Sequence, residues 1–270
     1  MTLITITQNF GGDGAAIARK VADGLGIELF DDRKLQGLVH ARGIPSEEIG
    51  RFDEKAPGFL DRFLGSRPKV FLDILESVIY EVARKGEGVI IGHGSQMLLR
   101  NFDCAFHVRV FSSDERRVEN MAAEQRLSRE AALKLIRKRD HEQSGFFHFA
   151  FHLEMNDPSL YDLIIHTEKL DLDTASGLII QAARSESIRT CSLKALEAME
   201  RLALEKKVHA VLLETGMDMT SIVVEVPEKG VVRVYGISAN SEETRKLLDA
   251  VRSVPGVSEV VSGISVVTGV

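Results

Sequence analysis

Apolar residues follow two alternating patterns along the first 190 positions of the chain. Short runs that are apolar at nearly every position predict buried strands, and apolar residues at every third or fourth position predict amphipathic helices. The predicted strands lie near residues 3–6, 27–30, 88–92, 105–111 and 161–166, and the predicted helices near 17–25, 35–39, 69–85, 114–125, 128–144 and 175–184. This alternation is typical of a parallel sheet buried between helices, so the predicted fold class is α/β.

The pattern changes after a polar stretch at residues 183–191. It predicts a helix at 193–204, a short strand at 208–213, a hairpin of strands at 221–226 and 231–235, a helix at 241–254 and a last strand at 257–267. We therefore expect two domains, at 1–187 and 192–270, the second being a small α+β unit. Residues 33–68 contain Pro45, Pro57 and Pro68, and predict an insertion with a helix start at Ser46.

The first strand is followed by a glycine turn that opens a helix. Gly11, Gly12 and Gly14 form this turn, with Asp13 inside it and Ala15 and Ala16 after it. The first amides of a helix have no partner within the helix, and the helix dipole favours an anion at this end. Glycine lets a phosphate approach the backbone closely. The six residues from Gly11 to Ala16 are therefore candidates for binding phosphate.

This turn lacks two parts of a complete phosphate loop. No register supplies the Lys that reaches the outer phosphates or the Ser/Thr that holds magnesium. A carboxylate at Asp13 would repel phosphate unless it caps the helix. The alternative interpretation is an ordinary strand-to-helix turn with Asp13 as its N-cap.

Further candidates follow other predicted strands. Asp31 and Asp32 come after the second strand, and Gly92, His93 and Gly94 come after the third. Ligands of parallel sheets bind at the carboxyl ends of the strands, so these residues are candidates for contacting a substrate. His93 is equally consistent with an exposed loop residue.

Arginine and lysine are frequent between residues 116 and 145. Arginines near a phosphate site would be expected, because transfer of phosphate depends on neutralising its charge. Most of these side chains are nevertheless interpreted as lying on the solvated faces of two helices, where glutamates at helical spacing are their partners. We exempt Arg139 and Asp140, at a predicted helix end, as candidate catalytic residues. The aromatic residues at 146–151 are expected to pack a loop onto the body, and the nearby histidines are not spaced as a metal site.

Composition excludes several classes of protein. The net charge of −6 does not indicate a surface that binds nucleic acid. No run approaches about 20 apolar residues, so we expect no transmembrane segment. The two cysteines, Cys104 and Cys191, predict neither a metal site nor a disulfide framework, which fits a reducing cytoplasm. The start of the chain has no basic leader, and the expected location is cytoplasmic.

Residues 1–180 resemble the cytidylate kinase-like group of P-loop nucleotide kinases. The resemblance rests on the order and spacing of ITITQNFGGDGAAIARKVADGLGIELFDD, VIIGHG, AFHVRVFSSDERRVE, LIRKRDHEQSGFF and YDLIIHTEKL. It implies a three-layer α/β/α P-loop domain, ATP and Mg²⁺ as cofactors, and a nucleotide as ligand. It also implies that 31–68 belongs to the acceptor side and that 137–144 is a lid whose Arg139 and Asp140 match the lid pattern.

The chain departs from the pattern of this group at several positions. Asp13 stands for a glycine, Ala15 for an arginine, His93 for an arginine and Phe146 for a lid arginine that cytidylate kinases carry. Each change removes or opposes positive charge near the expected phosphates, and one such contact is commonly worth a few kcal/mol in the transition state. The resemblance therefore supports membership of the group more strongly than it supports activity.

The last 80 or so residues resemble a BON domain, a small αββαβ module associated with lipid or ligand interaction. The segment VVRVYGISANSEETRKLLDAVRSVPGVSEVVSGISVV carries this resemblance, above all a turn at Gly236 and the entry at Pro255, Gly256 and Val257. Three hypotheses follow for the whole chain. It is a nucleoside monophosphate kinase-like phosphotransferase, a pseudokinase that senses a nucleotide or serves as a scaffold for the C-terminal module, or a protein whose site is vestigial. A homo-oligomer is left open.

Overall fold

The computed structural model describes residues 2–41, 68–189, 191–215 and 219–266. The described chain divides into two compact units. The first contains the described residues up to 41 together with 85–195, and the second contains 68–84 together with 196–266. The helix predicted at 69–85 therefore groups with the C-terminal unit, although it precedes a strand of the first. The predicted helix start at Ser46 lies outside the described residues.

The first unit is a five-stranded parallel sheet with helices, as predicted. Its strands are β1 Thr2–Gln8, β2 Leu29–Phe30, β3 Glu87–Ile91, β4 Ala105–Phe111 and β5 Leu163–His166, in the order β2-β3-β1-β4-β5. Its helices are α1 Gly14–Leu25, α2 Asp32–His40, α4 Ser95–Leu98, α5 Asp114–Gln125, α6 Arg129–Phe151, α7 Leu172–Ala183 and α8 Glu186–Arg189. Helix α3, Pro68–Arg84, belongs to the second unit.

The two faces of this sheet differ in chemistry. Ile4 and Ile6 of β1 pack with Ile17 of α1 and Ile179 of α7 in one apolar core. Side chains alternate between the faces of a strand, so Thr5, Thr7, His107 and Arg109 share the opposite face, and all four are buried. The strands β2 and β3 lie on one side of β1, and the strands β4 and β5 lie on the other. The carboxyl ends of β1 and β4 therefore lie at the crevice where ligands of such sheets bind.

The second unit has the αββαβ order of the predicted module. After α3, it consists of α9 Leu193–Glu214, β6 Ile222–Glu228, β7 Val231–Ser238, α10 Ser241–Arg252 and β8 Glu259–Val266. The hairpin β6–β7 is antiparallel, and β8 adds to β7 in parallel. Leu204, Val208 and Leu212 of α9 contribute to its core at helical spacing. The strand predicted at 208–213 was therefore wrong, because this apolar run continues the helix.

Three other expectations are corrected. The aromatic residues at 146–151 form the last turns of helix α6 rather than a loop. Gly236 lies inside strand β7 with φ of +141° and does not form a turn. Cys104 and Cys191 form a disulfide, with Cα atoms 4.9 Å apart. The two cysteines are 87 residues apart in the sequence, and the fold brings them together. Their spacing in the sequence does not indicate this pairing, because a disulfide depends on the distance between the two Cα atoms in the fold.

The helices of the described residues do not include one that is both long and apolar enough to cross a bilayer.

Candidate functional site

The glycine turn occupies residues 9–13, between the end of β1 and the first residue of α1. Gly11 has φ of +79°, a conformation that L-residues rarely adopt. A Cβ atom at Gly11 would lie 2.9 Å from Met121 Cγ of α5. Both the backbone conformation and the close approach of α5 therefore require glycine at this position.

Donors of the protein hold the carbonyl groups of this turn. Asn9 O accepts from Gly12 N at 3.1 Å, Phe10 O from Arg117 Nε at 2.8 Å, and Gly11 O from Asn120 Nδ2 at 3.0 Å. These bonds fix the orientation of three consecutive peptide groups before a ligand arrives. Fixed backbone dipoles of this kind are the basis of preorganised anion binding.

Side chains already occupy two amides at the start of α1. Asp13 N donates to Ser112 Oγ at 3.2 Å, and Ala15 N donates to Gln8 Oε1 at 3.1 Å. A Cβ atom at Gly14 would lie only 2.7 Å from Gln8 Oε1. A phosphate that binds Ala15 N must therefore displace the end of the Gln8 side chain. This side chain can move, because it is long and flexible.

Asp13 occupies the N-cap position of α1, as the alternative interpretation predicted, but its carboxylate makes no capping hydrogen bond. It accepts from Thr167 Oγ1 at 2.9 Å and from Asn120 Nδ2 at 3.1 Å, and Arg116 Nε lies 3.4 Å from it. The side chain is only 8% exposed. Asp13 thus fastens the turn to the ends of β4 and β5 and to α5, and protein donors surround its charge.

A pocket lies beside the glycine turn, and five of the predicted site residues line it: Ala15, Asp31, Asp32, Gly92 and Arg139. Gln8, Phe10, Arg19 and Gln143 contribute further side chains. A second depression, between the turn and α5, is lined by Gly11, Gly12, Asp13 and Ala16 together with Ala15. Gly14, His93, Gly94 and Asp140 are not among the residues that line these two pockets.

The two aspartates after β2 have different partners. Asp31 caps α2 by accepting from Lys34 N at 3.0 Å. Asp32 Oδ1 lies 2.9 Å from His93 Nε2. His93 is 3% exposed and has φ of +56°, so the interpretation of an exposed loop residue was wrong. His93 instead connects the end of β3 to the start of α2 under the pocket.

Arg139 and Asp140 point to different environments. Arg139 is 4% exposed, forms an ion pair with Glu142 at 2.9 Å, and stacks 5.5 Å from the centroid of the Phe10 ring. Asp140 instead accepts from Arg117 Nη2 at 2.5 Å. Arg117 is also buried, so two arginines of this region are not on solvated faces. The side chain of Arg139 faces the pocket, and Asp140 supports the arginine that holds the glycine turn.

Comparison with known proteins decides the family. Residues 3–169, more than half of the chain, match the cytidylate kinase-like family, and residues 202–268 match the BON domain. The chain belongs to the cytidylate kinase-like family. It is 25% identical over 177 residues to the cytidylate kinase of Pyrobaculum islandicum, which covers 65% of this chain and 89% of that protein. It is 24% identical over 184 residues to the cytidylate kinase of Methanothrix thermoacetophila, which covers 68% and 98%.

A solved structure supports the fold of the kinase-like unit. An uncharacterized protein from Eubacterium ventriosum matches with a TM-score of 0.55 at 20% identity, covering 67% of this chain and 97% of that one. At this identity the likeness shows the fold alone. It agrees with the five-stranded parallel sheet described above.

The position of Phe146 explains one departure from the pattern of the family. Phe146 is 1% exposed, and its ring lies 5.7 Å from that of Phe147 and 6.0 Å from that of Phe151. A Cβ atom at Gly94 would lie 2.4 Å from Phe151 Cε2. The aromatic end of α6 therefore packs on the turn after β3, and an arginine could not replace Phe146 without burying a charge.

The sequence analysis missed Arg109, which lies in the middle of β4. Arg109 is 0% exposed, and its Nη2 donates to Asn9 Oδ1 at 2.8 Å and to Asn156 Oδ1 at 3.0 Å. A charged residue inside an apolar run was the available signal, because ionised side chains are almost never fully buried without a reason. The prediction of a strand at 105–111 assigned no role to this residue.

Proposed function

We propose that the kinase-like unit binds ATP at the glycine turn and transfers phosphate to a nucleoside monophosphate. One observation carries this proposal: Ala15 at the start of α1, the carboxylates of Asp31 and Asp32, and the guanidinium of Arg139 line one pocket. Such a pocket combines backbone amides, acidic groups and a cation, which are the groups that phosphoryl transfer requires. The comparisons give no support to the pseudokinase alternative.

The residues present fit a nucleotide in part. Protein donors hold the carbonyls of the turn and fix its backbone, and displacement of the Gln8 side chain would free Ala15 N for an anion. The turn lacks the usual Lys and hydroxyl, and Arg139 would neutralise charge on the transferring group in their place. Asp31 and Asp32 would hold Mg²⁺ or orient the acceptor, and bound Mg²⁺ would neutralise charge on the phosphates. We also retain the cytoplasm as the proposed location, because ATP and nucleoside monophosphates are available in that compartment. The disulfide between Cys104 and Cys191 removes the support that the cysteines gave to this location, because disulfides are rare in a reducing compartment.

The proposal is tested by incubating the full chain with ATP, Mg²⁺ and each of CMP, dCMP, UMP, AMP and GMP. We expect formation of ADP and one nucleoside diphosphate, with a clear preference for one acceptor. Omission of Mg²⁺ should abolish the reaction. Binding of ATP without product from any acceptor would contradict transfer while retaining nucleotide binding.

Loss of Arg139 should lower the rate of phosphate transfer more than it lowers the free energy of unfolding, provided that its ion-pair partner Glu142 is neutralised as well. Arg139→Ala removes a partner of the buried Glu142, which commonly costs about 3–5 kcal/mol of folding free energy. The double variant Arg139→Met with Glu142→Gln removes both charges together. We expect it to retain most of its stability in urea and to lose about 100-fold in rate. An unchanged rate in the folded double variant would show that Arg139 is structural.

A further inference from the structure

Arg109 is a buried cation that forms no direct ion pair with a carboxylate in the part of the chain that the structure describes. Its hydrogen-bond partners there are two amide oxygens, of Asn9 and Asn156, and both bonds come from Nη2. Its Nε and Nη1 atoms are buried and make no hydrogen bond to the described residues. The guanidinium also stacks on the Phe111 ring, 4.6 Å from the centroid.

The neighbouring buried arginine has the opposite arrangement. Arg117 lies between the carboxylates of Asp114 and Asp140, at 3.0 and 2.5 Å. Arg117 therefore contacts carboxylates directly, whereas Arg109 contacts none among the described residues. Burial lowers the pKa of Arg109 to about 10, and the positive charge of Arg117 adds to the lowering, while the carboxylate of Asp140 opposes it. Arg109 thus remains charged at neutral pH.

Arg109 is connected to the glycine turn through the side chain of Asn9. Asn9 is the first residue of the turn, and its carbonyl accepts from Gly12 N. The residue that holds the Asn9 side chain is Arg109. A fully buried charge with neutral partners is destabilising, and in a medium of low polarity its potential extends further than that of a surface charge.

We propose that Arg109, which lines neither pocket, is a positioning residue of the glycine turn, and that its buried charge supplies from β4 the positive potential that the turn lacks. This inference rests on the proposed binding of nucleotide. The ligand it serves is a polyphosphate anion. Its potential attracts the anion, and its bond to Asn9 keeps the start of the turn in place.

The substitution Asn156→Asp separates this role from a structural one. It would place a carboxylate 3.0 Å from Arg109 Nη2, on a residue that is itself exposed. The new ion pair should raise the melting temperature, since it compensates a buried charge. We expect the Kd for ATP with Mg²⁺ to rise about tenfold. Binding of adenosine, which carries no phosphate, should be unaffected.

Four further variants make the interpretation specific. Asn101→Asp adds the same charge at an exposed residue before β4, and it should change neither the melting temperature nor the Kd for ATP. Arg109→Lys keeps the charge and should retain most of the affinity for ATP, whereas Arg109→Met should lose about as much as Asn156→Asp. In the Arg109→Met background, Asn156→Asp should have no further effect on affinity, because its effect acts through Arg109.

The outcomes are distinguishable. Wild-type affinity in Asn156→Asp with a raised melting temperature would show that Arg109 is only structural and would overturn the inference. An equal loss of affinity from Asn156→Asp in the Arg109→Met background would show direct repulsion by the new carboxylate and would also overturn it. Failure of the wild-type chain to bind ATP at all would instead overturn the proposed function on which the inference rests.

Discussion

Replacing Gly236 with alanine should unfold the C-terminal unit. A Cβ atom at Gly236 would lie 2.0 Å from the backbone oxygen of Ser221, a distance that no side-chain rearrangement relieves. Ile222 is paired with Gly236 in the hairpin, so the start of β6 passes directly over this position. The residue also has φ of +141°, which only glycine adopts readily. Strain and overpacking together should cost about 3 kcal/mol or more.

Hydrogen exchange measured by mass spectrometry would locate this effect. Amides of β6 and β7 should lose protection in Gly236→Ala, while those of β1 and β4 keep theirs. Gly177→Ala is a suitable control because nothing lies within 4 Å of its Cβ position, and alanine should stabilise helix α7 by about 0.5–1 kcal/mol. Wild-type protection of β6 and β7 in Gly236→Ala would contradict the close packing of these strands.

Removing the disulfide should lower the stability of the kinase-like unit by about 4–5 kcal/mol. The bond between Cys104 and Cys191 closes a loop of 87 residues, and the loss of entropy in the unfolded chain grows with the length of such a loop. Urea unfolding of the oxidised chain, with and without dithiothreitol, measures this difference. The reduced chain should unfold at a clearly lower midpoint.

The double variant Cys104→Ser with Cys191→Ser provides the control for reduction. It should unfold at the midpoint of the reduced wild type and should not respond to dithiothreitol. Two titratable thiols in the unreduced wild-type chain, together with an unchanged midpoint after reduction, would show that the bond is not formed. That result would restore the expectation from the sequence that the two cysteines do not pair.

Local patterns predicted most of the fold. The limits of β4 and α5 agree with the prediction, because a mainly apolar run is followed by Ser112 and Ser113, after which a charged amphipathic stretch begins. Helix α9 was divided wrongly, because a short apolar run does not distinguish a buried strand from a buried part of a helix. No glycine or proline interrupts the chain from Leu193 to Glu214, which was the signal for one continuous helix.

The site was predictable only where the chain is locally continuous. The glycine turn follows from a strand, three glycines and a helix within one short segment. The contacts of Asp13 involve Ser112 and Thr167, which are 99 and 154 residues away in sequence. The role of Arg109 depends similarly on Asn9, 100 residues earlier. Contacts of this range are set by the order of the strands, and spacing in the sequence does not reveal them.

Titration calorimetry of ATP with Mg²⁺ into the full chain and into Gly14→Asp tests binding at the glycine turn most directly. The new side chain would collide with Gln8 and add a negative charge at the start of α1. The wild type should bind with a Kd below about 1 mM. Gly14→Asp should bind undetectably, while Gly177→Asp, with the same charge at an open position of α7, should bind as the wild type does. Equal binding by the wild type and Gly14→Asp, or no binding by the wild type, would contradict the assignment of the turn as the nucleotide site.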